Sequence, residues 1–241
     1  MLVFFLFLTT IKACPFDQLD MNKISFRTID EYRQKERPFV LHNAMEEWNI
    51  IQKSSNHFIE RYKFMKVKFD ERDKIAYHGA ANKTINISDV FNINGLSFTF
   101  FKDMKNMNTV EDMRLLNNYF PKLAFSEHLP KRFQRHKVLS LAKNKGGIDF
   151  HNHGDSYLAL LEGEKEWQIF PHDFEAFDEY SSFNTIEYVD SVGFRPLICK
   201  QKAGTILYLP KGFDHRTVNI NNNFAVAWQE TYPTHTPNNR P

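Results

Sequence analysis

The stretch Phe150-His151-Asn152-His153-Gly154-Asp155 carries the pattern on which the fold and the chemistry of this chain depend. Side chains two residues apart on an extended strand point to the same face, so His151 and His153 can bind one metal ion together. A third ligand must come from elsewhere, and His215 is the best candidate because it follows a Pro-Gly turn and precedes strand-like residues. Neutral imidazoles suit iron, copper, zinc and nickel. Taken alone, however, a His-x-His pair among ten histidines is explained equally well by a structural role.

The second half of the chain, around this stretch, has the pattern of a β-barrel. Short runs rich in aromatic and β-branched residues alternate with Gly or Pro, as is typical of a barrel or a sandwich. Alternation is clearest in Glu164–Ile169, where Lys165 shares the apolar face with Trp167. A lysine on such a face requires a partner, either a buried anionic ligand or a core carboxylate. The predicted strands are 138–142, 157–161, 165–170, 205–209 and 223–229.

The first half of the chain reads as a mixed helix-and-strand segment. A helix over 29–37 should end before Pro38, because proline disfavours helical geometry in the residue that precedes it. A short strand over 39–41 follows, and then a second helix that Ser54 or Ser55 caps and that continues to about Tyr62. Residues 96–101 return to strand character.

Composition gives no sign of a nucleic acid or acidic lipid partner. The 31 basic and 29 acidic side chains leave a net charge of +2, which is too small to create a strong field. The densest basic run, Lys131–Lys137, is predicted to be a solvated loop rather than a binding patch.

The N-terminus predicts export into the secretory pathway. Residues 2–11 form an apolar run that is shorter than the roughly 20 residues of a membrane span. The run has the length of a signal-peptide core, so we expect a signal peptide over 1–13 and a single domain over 14–241; a first β-strand is the alternative. No other segment could cross a bilayer, so no transmembrane anchor is expected.

Glycosylation sequons and cysteines agree with this compartment. Sequons begin at Asn82 and Asn86, in a polar stretch that is expected to be exposed. The chain has two cysteines, Cys14 and Cys199, and an even number fits one disulfide in an oxidising compartment. Two buried free thiols are the alternative.

Several motifs together resemble the JmjC domain, a cupin-like superfamily. Phe150–Gly154 is followed by Gly163-Glu164-Lys165-Glu166-Trp167 and Pro171, and then by the segment 203–219 with its distal histidine, His215. The resemblance is strongest over residues 137–230. It implies a mainly β fold with α additions, namely a double-stranded β-helix (a cupin/JmjC-type barrel) with an N-terminal α/β extension.

A luminal group of JmjC-domain-only proteins shows a closer resemblance. Its shared features are Phe-His-x-His-Gly, an early cysteine and the motif Arg195-Pro196-Leu197-x-Cys199. This resemblance implies a disulfide between Cys14 and Cys199 and a location in the endoplasmic reticulum lumen, with secretion as the alternative. It also implies a luminal protein partner or substrate, whose identity the sequence does not give.

The family's chemistry implies a role for each candidate site residue. His151, His153 and His215 would hold Fe(II), and Lys165 would bind the distal carboxylate of 2-oxoglutarate. Active family members have Asp or Glu two residues after the first histidine, where this chain has His153. In an alternative register, His153 and Asp155 take the places of the usual His-x-Asp pair, but closer to Gly163 than is usual in the family.

Two functions of different classes remain. One is an Fe(II)/2-oxoglutarate oxygenase that acts on a luminal protein, and the other is a catalytically silent binding or regulatory module. Active members have Asp or Glu at the position of His153, and several have threonine at the position of Ile148. These two departures favour the silent module slightly. A plain metal-binding cupin is a third possibility. Asp214 replaces a bulky apolar residue of the family, and the sequence offers no reason for it.

Overall fold

The computed structural model describes residues 14–49, 53–69, 83–92, 97–100, 118–129, 137–170 and 196–230. Residues 1–13, Asn82 and 131–136 lie outside the described residues, so the predicted signal peptide, the first sequon and most of the basic run are not addressed by it. Within the described ranges, no helix is long and apolar enough to span a bilayer.

The fold is mainly β, as predicted from the sequence. The described strands form two large sheets and one small hairpin, and two of the described helical segments, Phe26–Gln34 and Ser55–Tyr62, lie in the first third of the chain. In chain order the elements are β1 (Asp17–Asp20), α1 (Phe26–Gln34), β2 (Phe39–His42), α2 (Ser55–Tyr62), β3 (Lys66–Phe69), β4 (Lys83–Asn86), β5 (Ser97–Phe100), β6 (Lys137–Ala142), β7 (Gly147–His151), β8 (Ser156–Glu162), β9 (Glu164–Ile169), β10 (Leu197–Lys202), β11 (Thr205–Leu209), β12 (His215–Asn219) and β13 (Asn223–Gln229). Short 3-10 helices cover Ile87–Asn92 and Ser126–His128.

The topology is that of a jelly-roll, cupin-like fold. One sheet has seven strands in the order β1-β2-β11-β8-β13-β6-β5, and the other has four in the order β10-β9-β12-β7. The strands β1 and β2 pair in parallel, whereas the other described strand pairs are antiparallel. Consecutive strands β8 and β9 lie in different sheets, so the chain passes from one sheet to the other at Gly163 (φ +90°), where a Cβ atom would lie only 2.2 Å from the Asn222 carbonyl oxygen.

Both helices begin at serine caps, because a serine side chain accepts a hydrogen bond from a backbone N–H that the first helical turn leaves unpaired. Ser25 caps α1, so this helix starts three residues before the predicted position. Ser54 caps α2 as one of the two predicted candidates, and the helix ends at Tyr62 as expected. The carboxylate of Glu162 on β8 also accepts hydrogen bonds from the backbone and the hydroxyl of Ser55, which fixes α2 against the seven-stranded sheet.

Two apolar cores hold the layers together. The larger one lies where the helices pack on the seven-stranded sheet, and it includes a stack in which Tyr208 lies 4.8 Å from Tyr157 and 5.0 Å from Phe39 between ring centroids. The smaller core lies between the two large sheets and contains Trp167 and Leu207. Aromatic rings bury large apolar areas, which fits the phenylalanine-rich composition.

A disulfide between Cys14 and Cys199 joins the start of the described chain to β10, as the resemblance implied. Both cysteines are buried in the smaller core. Next to it, the Gln201 side chain accepts a hydrogen bond from the Trp167 indole and donates to the backbone carbonyls of Leu158 and Thr205. This buried network crosses from one sheet to the other, so the disulfide closes an edge that is already cross-linked by hydrogen bonds.

Candidate metal centre

Strand pairing in the four-stranded sheet brings His151 and His215 side by side. The strand β12 lies between β7 and β9, and His215 at its start pairs with both His151 and Ile169. His151 is the last residue of β7. The two imidazole centroids are 4.3 Å apart, so a residue pair that is 64 positions apart in sequence becomes adjacent in the barrel.

His153 reaches the same point from a loop. His151 and His153 were predicted to lie on the same face of one strand. This strand assignment is wrong, because β7 ends at His151 and His153 lies beyond it. Its ring centroid is nevertheless 5.5 Å from that of His151 and 4.7 Å from that of His215. One ring nitrogen from each of the three histidines lies within 4.8 Å of the others. The spacing permits a single ion to be shared.

Backbone contacts fix which nitrogen of two imidazoles faces this point. Nδ1 of His153 donates to the Gly154 carbonyl at 2.7 Å, and Nδ1 of His215 donates to the Phe213 carbonyl at 2.8 Å. A carbonyl oxygen only accepts, so the proton of each ring lies on Nδ1 and the lone pair on Nε2. Metal-bound histidines commonly have their second nitrogen held in this manner.

Burial keeps the imidazoles of His153 and His215 neutral. It lowers the pKa of His153 to about 3, and the neighbouring His151 adds to the effect. Burial also holds the pKa of His215 well below its ordinary value, with smaller contributions from His151 and His153. A neutral imidazole retains the lone pair that a metal ion needs, so protons compete weakly for these ligands near neutral pH.

A cavity of about 50 Å³ extends from the three histidines into the space between the sheets. Lys165 also lines the cavity, and on β9 it pairs with Asn219 of β12. In the part of the chain that the structure describes, no carboxylate lines this cavity. The cavity is far smaller than the roughly 300–1,000 Å³ of most small-molecule sites.

Lys165 is buried, with 3% of its surface exposed. Its Nζ donates to Oδ1 of Asn219 at 2.8 Å. The sequence predicted either an anionic ligand or a core carboxylate as the partner of Lys165. Among the described residues, the partner is instead the neutral amide of Asn219. Burial lowers the pKa of Lys165 to about 7.

Asp155, the ligand of the alternative register, lies outside the histidine group. Its carboxylate accepts a hydrogen bond from the backbone N–H of Lys211 at 2.8 Å, and its carbonyl accepts one from Glu230 N–H. The structure therefore brings the three histidines together, while Asp155 bonds to the backbone of Lys211 and Glu230.

Asn152 and Asp214, two residues that the sequence interpretation did not place in the site, tie its two loops together. Nδ2 of Asn152 donates to Oδ1 of Asp214 at 2.8 Å. Asn152 lies between the paired histidines and Asp214 directly precedes His215, so this bond joins the two segments that carry all three rings. The backbone N–H of Gly212 adds a hydrogen bond to the His153 carbonyl at 3.3 Å. Adjacency to the candidate ligands was the one sequence signal that could have identified this pair.

Removing this link should weaken metal binding without removing a ligand. We expect Asp214→Ala to lower the affinity for Ni(II) about tenfold, in line with the effect of residues that orient metal ligands. The matched control is Asp20→Ala, which removes a similar Asn–Asp bond (Asn43 Nδ2 to Asp20 Oδ1, 2.9 Å) outside the histidine group. Titration calorimetry measures both, and equal affinities for the two variants would contradict a positioning role for Asp214.

Comparison with known proteins gives a partial similarity to one group. No protein-family model matches the chain. JmjC domain-containing protein 8 of Homo sapiens is 26% identical over 87 residues, which cover 34% of this chain and 33% of that protein. The protein of the same name from Mus musculus is 30% identical over 88 residues, covering 34% of this chain and 32% of that protein. The matches thus span about a third of these relatives. This distant similarity and the cluster of three histidines fit a JmjC-like cupin.

Proposed function

We propose that this chain is a JmjC-like cupin protein of the secretory pathway that holds a divalent transition-metal ion and acts as a binding or regulatory module. The observation that carries the proposal is the convergence of three ring nitrogens, from His151, His153 and His215, within 4.8 Å of one another. These imidazoles suit iron, copper, zinc or nickel. When bound, such an ion would act as a Lewis acid toward an oxygen or nitrogen ligand.

The charge and the size of the site support a silent module over an oxygenase. Three neutral imidazoles leave the full +2 charge on the ion, whereas the usual carboxylate ligand would reduce it to +1. Ile148 lines the cavity and offers no hydrogen bond from its side chain to a ligand. A cavity of about 50 Å³ would have to widen before it admitted a five-carbon dicarboxylate.

Metal content tests this proposal directly. The full chain is purified from a eukaryotic secretory host, its metals are measured by mass spectrometry, and the apoprotein is then loaded anaerobically with Fe(II), Ni(II) or Zn(II). We expect about one ion per chain. The triple variant His151→Ala, His153→Ala, His215→Ala serves as the control. No uptake by the wild type, or equal uptake by the triple variant, would sink the metal site.

An Fe(II)/2-oxoglutarate oxygenase that acts on a luminal protein is the second candidate, and Lys165 is the observation that favours it. The lysine lies in the same cavity as the histidines, and its buried amine can pair with an anionic group of a ligand.

Replacing Lys165 separates the two candidates. If the chain is an oxygenase, the wild type binds 2-oxoglutarate and Lys165→Ala loses this binding at least tenfold, since a charge-assisted hydrogen bond to a buried carboxylate contributes about 1.5–3 kcal/mol. Calorimetry on the metal-loaded chain measures both affinities, and circular dichroism checks the fold of the variant. Equal binding by the two proteins, or binding by neither, would remove the co-substrate from the proposal.

The secretory location rests on the Cys14–Cys199 disulfide and on the predicted signal peptide. Glycosylation is proposed at Asn82 and Asn86; Asn86 ends β4 with a partly exposed side chain, and Ser88 of its sequon is exposed. Intact mass after secretory expression should show a chain that begins near Cys14 and carries glycans. Retention of residues 1–13, or free thiols at both cysteines, would contradict this location.

A further inference from the structure

Lys165 has three features that are not required of a lysine whose only role is to form an ion pair. Its amine is buried, its hydrogen-bond partner is the neutral Asn219 amide, and it borders a cavity that leads to the three histidines. A buried ammonium ion without a negative partner is costly, and the group lowers this cost by losing its proton.

The neutral amine is the nucleophilic form of lysine. Because burial lowers the pKa of Lys165 to about 7, the neutral amine is a substantial fraction of the side chain at pH 7. An exposed lysine with an ordinary pKa near 10.4 is neutral in less than about one molecule in a thousand at that pH. The titratable groups that line the same cavity within the described residues are the three histidines, and burial lowers the pKa of His153 and His215. His153 and His215 therefore add little positive charge.

The size of the cavity also limits which molecules can reach the Lys165 amine. A volume of about 50 Å³ admits a molecule of a few heavy atoms. Nδ2 of Asn219 is buried and has no hydrogen-bond partner within the described part of the chain, while Oδ1 of the same amide holds Lys165. Asn219 is not among the residues that line the cavity, so its amide positions the Lys165 amine rather than binding the ligand.

We infer that Lys165 forms a reversible imine with small carbonyl compounds, of which glyoxylate is the probe, in the cavity between the two sheets. The lone pair of Nζ attacks the carbonyl carbon and gives a carbinolamine. Loss of one water molecule, which carries away the carbonyl oxygen and the two amine hydrogens, leaves the C=N bond. No electrons are gained or lost. The step needs no metal ion, so it can fail or succeed independently of the proposed metal site.

Reductive trapping tests the inference on the full chain. The protein is incubated with glyoxylate at pH 7, sodium cyanoborohydride reduces any imine to a stable secondary amine, and peptide mass spectrometry measures the modified fraction at each lysine. We expect the modified fraction at Lys165 to exceed that at surface lysines at least tenfold, with one adduct per chain at low glyoxylate concentration.

A second buried lysine provides the matched control. Lys137 is 4% exposed, donates to the Phe120 carbonyl at 3.0 Å and has a pKa that burial lowers to about 8, yet it does not line the cavity. We expect little labelling there. Lys165→Met should lose the dominant adduct, while His42→Ala, which removes a histidine that bonds to Gln18 and does not line this cavity, should keep it. Labelling of Lys137 and surface lysines as strongly as Lys165 in the wild type would overturn the inference, and this comparison does not depend on the folding of any variant.

Discussion

Replacing His151 with alanine should abolish binding of Fe(II) or its surrogate Ni(II). His151 supplies one of three converging ring nitrogens, and its centroid lies 4.3 Å from that of His215, the most buried of the three. With one imidazole gone, two ligands remain, and we expect the affinity to fall by more than the 10- to 100-fold that follows loss of a supporting residue. Anaerobic titration, followed by calorimetry or by the visible absorption of the bound ion, measures the loss.

Two control variants distinguish the loss of a metal ligand from the loss of a side chain that does not bind the ion. Asp155→Asn should leave the affinity nearly intact, because the amide oxygen can still accept the hydrogen bond from Lys211 N–H. His42→Ala removes a histidine outside the group, whose ring bonds to Gln18. If Asp155→Asn abolishes binding and His151→Ala does not, the ligands are those of the alternative register, and the histidine assignment is wrong.

The sequence predicted which side chains meet at the site but not how they meet. His215 was predicted from the turn before it and the strand-like residues after it, and the family resemblance agreed, whereas its pairing with His151 follows from a strand order that was not predicted. His153 was placed on the strand face, whereas the strand ends two residues earlier. Local alternation does not reveal where a strand ends. The loop that carries His153 is held by Asn152–Asp214, a contact between residues 62 apart, and no local pattern encodes such a bond.

Strand prediction was accurate where burial is strong. The strands β11 and β13 have the predicted bounds, and nearly all of their residues are buried. In contrast, β1 and β10 were not predicted. The residues Leu197–Lys202 of β10 are mostly exposed at the edge of the four-stranded sheet, and Asp17–Asp20 of β1 has the acidic composition of a turn. Edge strands bury few side chains, so their sequences carry a weaker periodicity.

The partner of Lys165 shows a similar limit. Its apolar-face position predicted correctly that the amine is buried, because the alternation of Glu164–Ile169 is the burial alternation of β9. The partner comes from Asn219, 54 residues away on the neighbouring strand. Periodicity fixes the face on which a side chain lies, whereas the group it meets depends on the register between strands.

Loss of the disulfide should lower the free energy of unfolding by about 4 kcal/mol, because a cross-link over a long loop restricts the unfolded chain. The two cysteines are 185 residues apart in sequence, so the bridge closes most of the described chain. Urea unfolding of the double variant Cys14→Ala, Cys199→Ala measures the change. The double variant is preferable to either single one, because no thiol is left to form other bridges.

Reduction of the wild type distinguishes the stability that the disulfide bond contributes from the stability that the packing of the cysteine side chains contributes. Cys199 is fully buried in the smaller core with Trp167 and Ile169, so its replacement by alanine also removes contacts there. A reductant breaks the bridge but leaves every side chain in place. We expect it to lower the unfolding midpoint of the wild type nearly as far as the double substitution does, and to leave the double variant unchanged. A wild type that keeps its midpoint under full reduction, as verified by thiol titration, would show that the bridge contributes little and that the loss in the variant comes from packing.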